Sequence, residues 1–294
     1  MTLHRAGIVA VVGRPNVGKS TLVNALVGQK VAIVSDKPQT TRADIRAILN
    51  TPDAQVVFTD TPGFHKPRTT LGARLNELVG AAVEGVDLIL LVVDASTGVG
   101  RGDAFVYERQ VAAGGARAMC VVNKVDRIKH EAVIPQLAAA QALGSFDEIV
   151  PISARGGDGV DTLRELIVAR MPEGPSLYPE DDVTDQSTEQ RLAELVREQA
   201  LHVTRQEVPH SIAVTIEEMG REDDLTRVHA NLVVERDSQK GIVIGKGGAT
   251  LKAIGSAARV EMEQLLGTRV HLDLRVKVIK EWQRDTKALD RLGF

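Results

Sequence analysis

From about residue 6 to 171, short apolar runs alternate with stretches of helical periodicity. The runs are rich in β-branched residues and apolar at almost every position, which is typical of strands buried on both faces of a sheet. They cover residues 7–12, 55–59, 88–94, 118–123 and 148–152. Helices are predicted between them, at residues 19–27, 72–84, 104–113, 131–143 and 161–169. This order predicts an α/β fold with a mostly parallel sheet that helices cover on both faces.

The C-terminal third of the chain follows a different pattern. A helix is predicted at residues 189–204, alternating strands at 212–218 and 227–235, a helix at 249–266 and a strand at 270–279. If the stretch before the glycine-rich turn at 245–248 is also helical, the order is helix–strand–strand–helix–helix–strand. A short final helix is expected from Glu281. The pattern therefore predicts a second domain of the α+β class.

A proline-rich, acidic segment separates the two patterns. Residues 172–187 contain Pro172, Pro175 and Pro179 with five acidic residues and no Lys or Arg. Proline favours an extended chain, so we expect a linker that its charge keeps from packing. The predicted division is a first domain at 1–172, a linker at 173–188 and a second domain at 189–294.

Composition narrows the functional classes. The net charge of -3 argues against nucleic-acid binding by the whole chain, but residues 240–294 carry eleven basic and six acidic residues. Only 3% of the residues are aromatic, so the core is mainly aliphatic, and the single cysteine, Cys120, lies in an apolar run and is expected in that core. The N-terminus lacks the apolar stretch of a signal peptide, and no run is long enough to span a bilayer. We therefore expect a cytoplasmic protein.

The strongest motif is a phosphate-binding loop. Residues 13–20 fit G-x-x-x-x-G-K-[ST] between a predicted strand and a predicted helix. Backbone N–H groups in such a loop and at a helix N-terminus attract phosphate. Lys19 is expected to reach the β- and γ-phosphates and the Ser20 hydroxyl to bind Mg²⁺, while Arg14 and Arg42 are expected to stay exposed and contribute little. The predicted contacts are Gly13, Arg14, Pro15, Asn16, Val17, Gly18, Lys19, Ser20 and Thr21.

A second motif, D-x-x-G, follows the strand predicted at 55–59. It consists of Asp60, Thr61, Pro62 and Gly63. Asp60 is placed for a water-mediated contact with Mg²⁺, and the Gly63 N–H can meet the γ-phosphate. A threonine in the preceding loop can ligate Mg²⁺ only when GTP is present, as in GTPase switches. We favour Thr41 and keep Thr40 as the alternative.

A third motif selects the base. Asn123, Lys124 and Asp126 follow the strand predicted at 118–123. The Asp126 carboxylate can accept two N–H bonds from guanine, whereas adenine offers no such donor pair, and paired hydrogen bonds discriminate sharply. Ser153, Ala154 and Arg155 follow the last strand, where their backbone can support Asp126 and the guanine O6. The motifs together predict GTP and GDP as ligands.

The second domain carries a glycine loop of the G-x-x-G type. It lies after two predicted strands and before a helix and a third strand, which is the topology of a type II KH domain. Such a loop lets an RNA backbone approach closely, and the surplus of positive charge at this end of the chain favours RNA. The predicted RNA contacts are Ile244, Gly245, Lys246, Gly247, Gly248 and Lys252.

The nucleotide motifs resemble those of the translation-factor-like GTPases, which include the Era and TrmE families. Phe64 stands where Ras-like proteins carry the glutamine that positions water. The resemblance implies that Phe64 contacts the nucleotide site but points away from the γ-phosphate. It also implies that Asn16 helps to hold K⁺, which would neutralise charge between the β- and γ-phosphates. The expected catalytic residues are Lys19, Asn16, Thr41, Asp60 and Gly63.

A GTPase domain followed by a type II KH domain resembles the Era family over nearly the whole chain. That resemblance implies a monomeric GTP-hydrolysing switch that binds small-subunit ribosomal RNA near its 3′ end and assists assembly of the small ribosomal subunit. It also implies association with the inner face of the cell membrane. Since the helix at 189–204 is only modestly basic, we expect any direct membrane contact to be weak.

Other functions compete with this interpretation. A tRNA-modification GTPase of the TrmE type would need a further helical domain and cysteine chemistry near the C-terminus, which this sequence lacks. An RNA-binding protein with a vestigial nucleotide site conflicts with the complete set of Lys19, Ser20, Asp60 and Asp126. An assembly factor with other RNA targets stays open, whereas a double-domain repeat GTPase would need a second phosphate loop.

The Asp126→Asn variant tests the base assignment. An amide in place of the carboxylate donates one hydrogen bond and accepts one, which suits xanthine and not guanine. We expect GTP affinity to fall by at least about 100-fold while XTP binds in its place. Competition between labelled GDP and unlabelled XTP measures the change, and an unaltered preference for GTP would refute the assignment.

Overall fold

The computed structural model describes residues 4–37, 40–63, 69–204 and 208–294. These residues form two compact units, and the main boundary between the units falls after Asp185. Within the described ranges, no helix is both long enough and apolar enough to cross a membrane.

The first unit contains a six-stranded sheet. The strands run β1 (Arg5–Gly13), β2 (Ile45–Thr51), β3 (Ala54–Asp60), β4 (Leu88–Asp94), β5 (Arg117–Asn123) and β6 (Glu148–Pro151). Their spatial order is β2-β3-β1-β4-β5-β6, with β2 antiparallel to β3 and every other neighbouring pair parallel. The helices are α1 (Lys19–Val27), α2 (Thr70–Ala81), α3 (Arg101–Val106), α4 (Val133–Gln141) and α5 (Val160–Val168). The predicted mostly parallel sheet is confirmed.

Strand β4 shows why the apolar runs are continuous. All seven of its residues are buried. Leu88, Leu90 and Val92 pack into the core on one face of the sheet, whereas the alternate residues between them pack into the core on the other face. Since each fully buried aliphatic side chain contributes about 1.5–3 kcal/mol, the central strands hold this unit together. Cys120 of β5 lies in the second of these cores, as expected.

Several boundaries differ from the prediction. Strand β2 was not predicted, because Arg46 and Asn50 interrupt its apolar pattern. Helix α3 begins and ends early, at Arg101–Val106, and continues as a wider π-helical turn over Tyr107–Val111. The last helix begins at Thr286 rather than near Glu281.

The acidic segment after residue 172 packs, so the expectation that charge would keep it from packing is wrong. It runs along the outer edge of β2, where the Ile48 N–H donates to the Val183 carbonyl at 3.0 Å. The fully buried Gln55 also fixes it: Gln55 Oε1 accepts from the N–H groups of Leu177 and Tyr178 at 2.6 and 2.9 Å. We call residues 173–185 the edge strap.

The second unit has three strands and four helices in its described part. They are α6 (Thr188–Val203), β7 (Ala213–Glu222), β8 (Leu225–Val234), α7 (Asp237–Ile244), α8 (Ala249–Leu266), β9 (Arg269–Val278) and α9 (Thr286–Leu292). The sheet order is β7-β8-β9, antiparallel then parallel. Helix α7 confirms the helix–strand–strand–helix–helix–strand order. The buried Trp282 anchors the C-terminus, because its indole N–H donates to Ser211 at 3.1 Å and its ring stacks on Phe294.

Replacing Gln55 by Leu tests how the edge strap is held. The change leaves the N–H groups of Leu177 and Tyr178 without their acceptor, and we expect the free energy of unfolding to fall by about 2–4 kcal/mol. Urea denaturation followed by circular dichroism measures it, and hydrogen exchange should become faster at residues 177 and 178. Gln141→Leu on the exposed end of α4 is the matched control and should change stability by less than about 0.5 kcal/mol. Unchanged stability of Gln55→Leu would contradict this account.

Candidate functional site

The phosphate loop joins β1 to α1 and packs tightly against β5. Gly18 has a φ of +101°, and a Cβ atom built there would lie 2.3 Å from Asn123 Nδ2. Only glycine satisfies both constraints at this position. Asn16 is exposed at the tip of the loop with a φ of +63°. The loop backbone is therefore fixed against Asn123 at the end of β5.

Lys19 lies under the loop with only 7% of its surface exposed. Its Nζ donates to the carbonyl oxygens of Gly13 at 3.2 Å and Arg14 at 3.1 Å. Burial lowers the pKa of Lys19 to about 8, although the nearby Asp60 carboxylate acts to raise it. A bound phosphate would place a negative charge beside this ammonium group and so favour its charged form.

Three oxygen-bearing side chains meet beside Lys19. Ser20 Oγ lies 2.9 Å from Thr41 Oγ1, which donates to Asp60 Oδ2 at 3.1 Å. Asp60 Oδ1 is buried and makes no hydrogen bond within the described ranges. Burial raises the pKa of Asp60, and Lys19 opposes that shift. Hydroxyl and carboxylate oxygens are the ligands of hard cations, so this set fits Mg²⁺, which would favour the ionised carboxylate.

The two candidate threonines have different partners in the structure. Thr41 is buried and meets Ser20 and Asp60, whereas the Thr40 hydroxyl donates to the Lys37 carbonyl at 2.7 Å. Two adjacent residues of an irregular loop point in different directions, which is why sequence alone left both open.

The D-x-x-G segment passes directly over the phosphate loop. The Thr61 hydroxyl donates to the Val11 carbonyl at 2.8 Å and so ties the segment to β1. A Cβ atom at Gly63 would lie 2.8 Å from Pro15 Cα, so the backbone at Gly63 approaches the loop closely, with Pro62 buried before it. Phe64, whose orientation was predicted, lies outside the described residues.

Asn123 joins the base-selecting motif to the phosphate loop. Its Nδ2 donates to the Val17 carbonyl at 2.9 Å, and its Oδ1 accepts from the Ala154 N–H at 3.0 Å. Lys124 Nζ donates to the Asn16 carbonyl at 2.6 Å. Three predicted motifs that are far apart in sequence therefore meet at one hydrogen-bonded junction.

The remaining base-side residues lie around that junction. Asp126 is exposed on a short turn, Val125–Arg127, where its carboxylate can reach a ligand from solvent. Ser153 is fully buried and its Oγ accepts from the Gly156 N–H at 2.9 Å, which shapes the loop. Ala154 is buried and Arg155 is exposed.

Sequence reasoning missed Asp94, the last residue of β4. Its Oδ2 accepts from Lys124 Nζ at 2.6 Å, and its Oδ1 accepts from the Ser96 N–H at 2.9 Å. Burial acts to raise the pKa of Asp94, but the hydrogen bonds from Lys124 and Ser96 outweigh it and lower the pKa. The available signal was an acid at the carboxyl end of a buried strand, level with Asn123 in the sheet.

Two arginines differ from their prediction. Arg14 is not fully exposed: its Nε pairs with Asp103 at 2.7 Å, and Asp103 is buried at the start of α3. Arg42 has only 3% of its surface exposed. The expectation of two exposed arginines is wrong: Arg42 is buried, and Arg14 is held by Asp103, 89 residues away in sequence.

The glycine loop of the second unit lies between α7 and α8. Gly247 has a φ of +60°, and no atom lies within 4 Å of a Cβ built there, so the turn is open to solvent. Beside it lies a groove of ≈ 550 Å³ between α8 and β9, which Gly248 and Lys252 help to line. Lys246 is exposed on the turn, while Ile244 and Gly245 are half-buried at its start. All six predicted RNA-contacting residues therefore lie at or beside one end of the groove.

Comparison with known proteins agrees with a GTPase domain followed by a KH domain. A family model described as "50S ribosome-binding GTPase" matches residues 8–124, and one described as "KH domain" matches residues 207–283. The phosphate loop, the base-selecting motif and the glycine-loop domain thus define a GTPase that carries an RNA-binding KH domain. Relatives named GTPase Era are similar over the full length of both chains: that of Mycolicibacterium smegmatis is 51% identical over 299 residues, and that of Mycobacterium tuberculosis is 53% identical over 301. The chain belongs to the Era family of GTPases.

Two solved structures share the whole fold. One is a variant of Aquifex aeolicus Era bound to GDP and AlF₄⁻, which has a TM-score of 0.95, is 39% identical and covers 98% of this chain and 99% of its own. The other is Era in complex with MgGDPNP and nucleotides 1506–1542 of 16S ribosomal RNA, with a TM-score of 0.94, 39% identity and 99% of both chains covered.

The lowered pKa of Lys19 predicts that GDP binding is coupled to proton uptake. A pKa of about 8 leaves about half of the nucleotide-free protein with a neutral Lys19 at pH 8. Bound phosphate favours the ammonium form, so GDP binding should take up about half a proton at pH 8 and much less at pH 7, and GDP affinity should weaken as pH rises through 8. Calorimetry in two buffers of different ionisation enthalpy measures the uptake. Identical binding heats in both buffers at pH 8 would show that GDP binding takes up no net proton, which would contradict a change of Lys19 from neutral to charged.

Proposed function

We propose that this protein hydrolyses GTP with Mg²⁺ as a switch that binds small-subunit ribosomal RNA near its 3′ end and assists small-subunit assembly. The observation that carries the proposal is the likeness, over 99% of both chains, to the Era structure that holds MgGDPNP and a 16S ribosomal RNA fragment. The exposed glycine turn and its adjoining groove support RNA binding through the KH domain.

In this proposal, the phosphate loop holds the nucleotide by its backbone N–H groups, and Lys19 contacts the β- and γ-phosphates. Ser20 and Thr41 ligate Mg²⁺, and Asp60 contacts it through water. The cation supplies charge neutralisation at the phosphates. Gly63 donates its N–H to the γ-phosphate. The hydrogen bonds already joining Ser20, Thr41 and Asp60 support this arrangement, because the ligand oxygens lie close together before the cation binds.

On the base side, Asp126 accepts two hydrogen bonds from guanine, and the backbone at Ser153, Ala154 and Arg155 contacts the guanine O6. The junction at Asn123 keeps this region and the phosphate loop at a fixed separation. Loss of the γ-phosphate removes a reason for Thr41 to stay at the metal, which makes the loop around it the nucleotide-sensitive element.

The proposed cellular setting follows from the RNA partner. Because ribosomal subunits assemble in the cytoplasm, the protein acts there, as a monomer. Any contact with the inner face of the membrane is weak, since helix α6 as a whole carries as many acidic residues as arginines and histidines together.

The Gly247→Asp variant tests the RNA site. A carboxylate on the turn repels the phosphate backbone, so affinity for a 16S ribosomal RNA fragment of nucleotides 1506–1542 should fall by about 10-fold or more while GTP binding is unchanged. Asp tolerates the left-handed backbone at this position better than most residues, so the fold should persist. Gly220→Asp on exposed β7 makes the same change away from the groove and should bind nearly as well as wild type. Equal RNA affinity for both variants would contradict the assignment of the glycine loop as the RNA-binding site.

Crosslinking to RNA in cells tests the biological partner. We expect reads to concentrate near the 3′ end of small-subunit ribosomal RNA, more strongly with the GTP-bound form than with the GDP-bound form, and to disappear with Gly247→Asp. Enrichment of a different RNA would replace the proposed target while leaving the GTPase assignment intact.

Potassium dependence is a separate part of the proposal. Asn16 is exposed at the tip of the phosphate loop, where its side chain can ligate a cation beside the phosphates. We expect GTP turnover to be about 10-fold faster in K⁺ than in Na⁺ at equal ionic strength, and Asn16→Ala to remove most of that difference. Equal rates in both salts for the wild type would exclude a K⁺ site.

A further inference from the structure

The tip of the phosphate loop, residues 14–16, is held at both of its ends by charged side chains. At Asn16, the backbone carbonyl accepts from Lys124 Nζ at 2.6 Å. At Arg14, the side chain itself leaves the loop, and its Nε donates to Asp103 Oδ1 at 2.7 Å. Lys124 belongs to the base-selecting motif, whereas Asp103 lies in helix α3, outside every nucleotide motif. The second contact therefore calls for its own explanation.

Asp103 is a charged group in a buried position. It lies in the first turn of α3 and is fully buried. Its Oδ2 accepts from the Gly100 N–H at 2.9 Å, which closes the start of the helix. An uncharged side-chain oxygen could accept that hydrogen bond equally well, and a buried carboxylate is costly unless its charge is paired. Helix formation alone therefore does not account for the carboxylate, but its ion pair with Arg14 does.

The Arg14 side chain runs across the segment between β4 and α3. Its Nη2 donates to the Gly98 carbonyl at 3.3 Å and to the Thr97 hydroxyl at 3.4 Å. Gly102 leaves room for the arginine stem, since a Cβ atom there would lie 2.7 Å from Arg14 Cδ. The Arg14 carbonyl in turn accepts from Lys19 Nζ at 3.1 Å. Fixing the Arg14 side chain thus also fixes a backbone acceptor of Lys19.

The contact between Arg14 and Asp103 consists of protein groups alone, so it forms without nucleotide. A mobile loop would lose conformational entropy when it closes around phosphates. A loop that is already ordered avoids this cost at the moment of binding, which increases affinity. The ion pair is therefore placed to prepare the phosphate loop for its ligand.

We propose that Asp103 is a positioning residue for GTP binding: through Arg14 it holds the tip of the phosphate loop in place before the nucleotide arrives. Resting on the proposed GTPase function of this site, this role extends the site to helix α3. Asp103 acts through Arg14 and not on the nucleotide. Because the loop holds phosphate in the ground state and in the transition state alike, the contribution is to binding and not to the chemical step.

The Asp103→Asn variant tests this role. Asparagine keeps the shape and can still accept from the Gly100 N–H, but its amide nitrogen cannot accept from Arg14. We expect KM for GTP to rise by about 10-fold and GDP to dissociate about 10-fold faster, while kcat changes by less than about 2-fold. Steady-state hydrolysis and stopped-flow release of a fluorescent GDP analogue measure these quantities. A purely structural role would instead reduce the active fraction, which lowers the apparent kcat and leaves KM unchanged.

Two variants of Arg14 complete the test. Arg14→Lys keeps a cation that can reach Asp103 and should hold KM within about 3-fold of wild type. Arg14→Met combined with Asp103→Asn removes both charges, so no unpaired buried charge remains to destabilise the fold. KM of this double variant should be as high as that of Asp103→Asn alone, because both changes break the same contact.

The matched control is Asp147→Asn. It breaks another arginine–carboxylate contact of 2.7 Å, made with Arg117 at the end of β5 opposite Asn123, and should leave KM unchanged.

The role of Asp103 is overturned if KM of either Asp103→Asn or the double variant lies within about 2-fold of wild type. It is also overturned if Asp147→Asn raises KM as much as Asp103→Asn does. If Asp103→Asn fails to fold, KM of the double variant decides alone. In each of these cases the wild-type protein still turns over GTP, whereas absence of turnover by the wild type would refute the proposed function itself.

Discussion

The side-chain amide of Asn123 is the contact on which the nucleotide site depends. It lies at the end of β5, donates to the Val17 carbonyl of the phosphate loop and accepts from the Ala154 N–H after β6. An amide can do both at once because it carries a donor and an acceptor on one planar group. A carboxylate of the same shape would lose the contact to Val17. The relative position of the phosphate-binding and base-selecting loops is therefore set by a single buried group that needs no nucleotide to form.

The phosphate side of the site is held by charges that are only partly compensated. Lys19 and Asp60 are both buried, and burial disfavours the charged form of each, which lowers the pKa of one and raises that of the other. Their mutual attraction offsets part of this cost. The phosphates of a nucleotide compensate the charge of Lys19, and a bound cation compensates that of Asp60. The free site therefore favours a ligand that carries phosphate and metal at once.

The parts of the fold that could be predicted are those in which local pattern and burial agree. β4 matches its apolar run because all of its residues are buried, and α1 and α8 match because clear apolar faces end at glycines. β2 could not be predicted, since an edge strand is buried unevenly and its partners are set by register with β3. The edge strap was misjudged because its acidic residues are exposed, while the contacts of its backbone with Gln55 and of Asp185 with Arg46 hold it in place.

The nucleotide site also has residues that the sequence could predict and residues that it could not. Motif spacing points to Ser20 and Asp60 as candidate residues, whereas the different partners of Thr41 and Thr40 depend on the path of an irregular loop. Asp94 and Asp103 went unnoticed because each is a single acid whose partner, Lys124 or Arg14, lies more than 25 residues away in sequence. Contacts of that range carry no local signal. They become visible only when the fold brings the two partners together.

The edge strap has a consequence for how the chain can be divided. A fragment that ends at residue 172, where the sequence suggests the first domain stops, would leave the outer edge of β2 uncovered, because Val183 is the partner of the Ile48 N–H. An open strand edge is a template for pairing with another chain, so such a fragment would tend to aggregate. The smallest piece that closes its own sheet extends to Asp185, which makes the strap part of the GTPase domain and not a tether between domains.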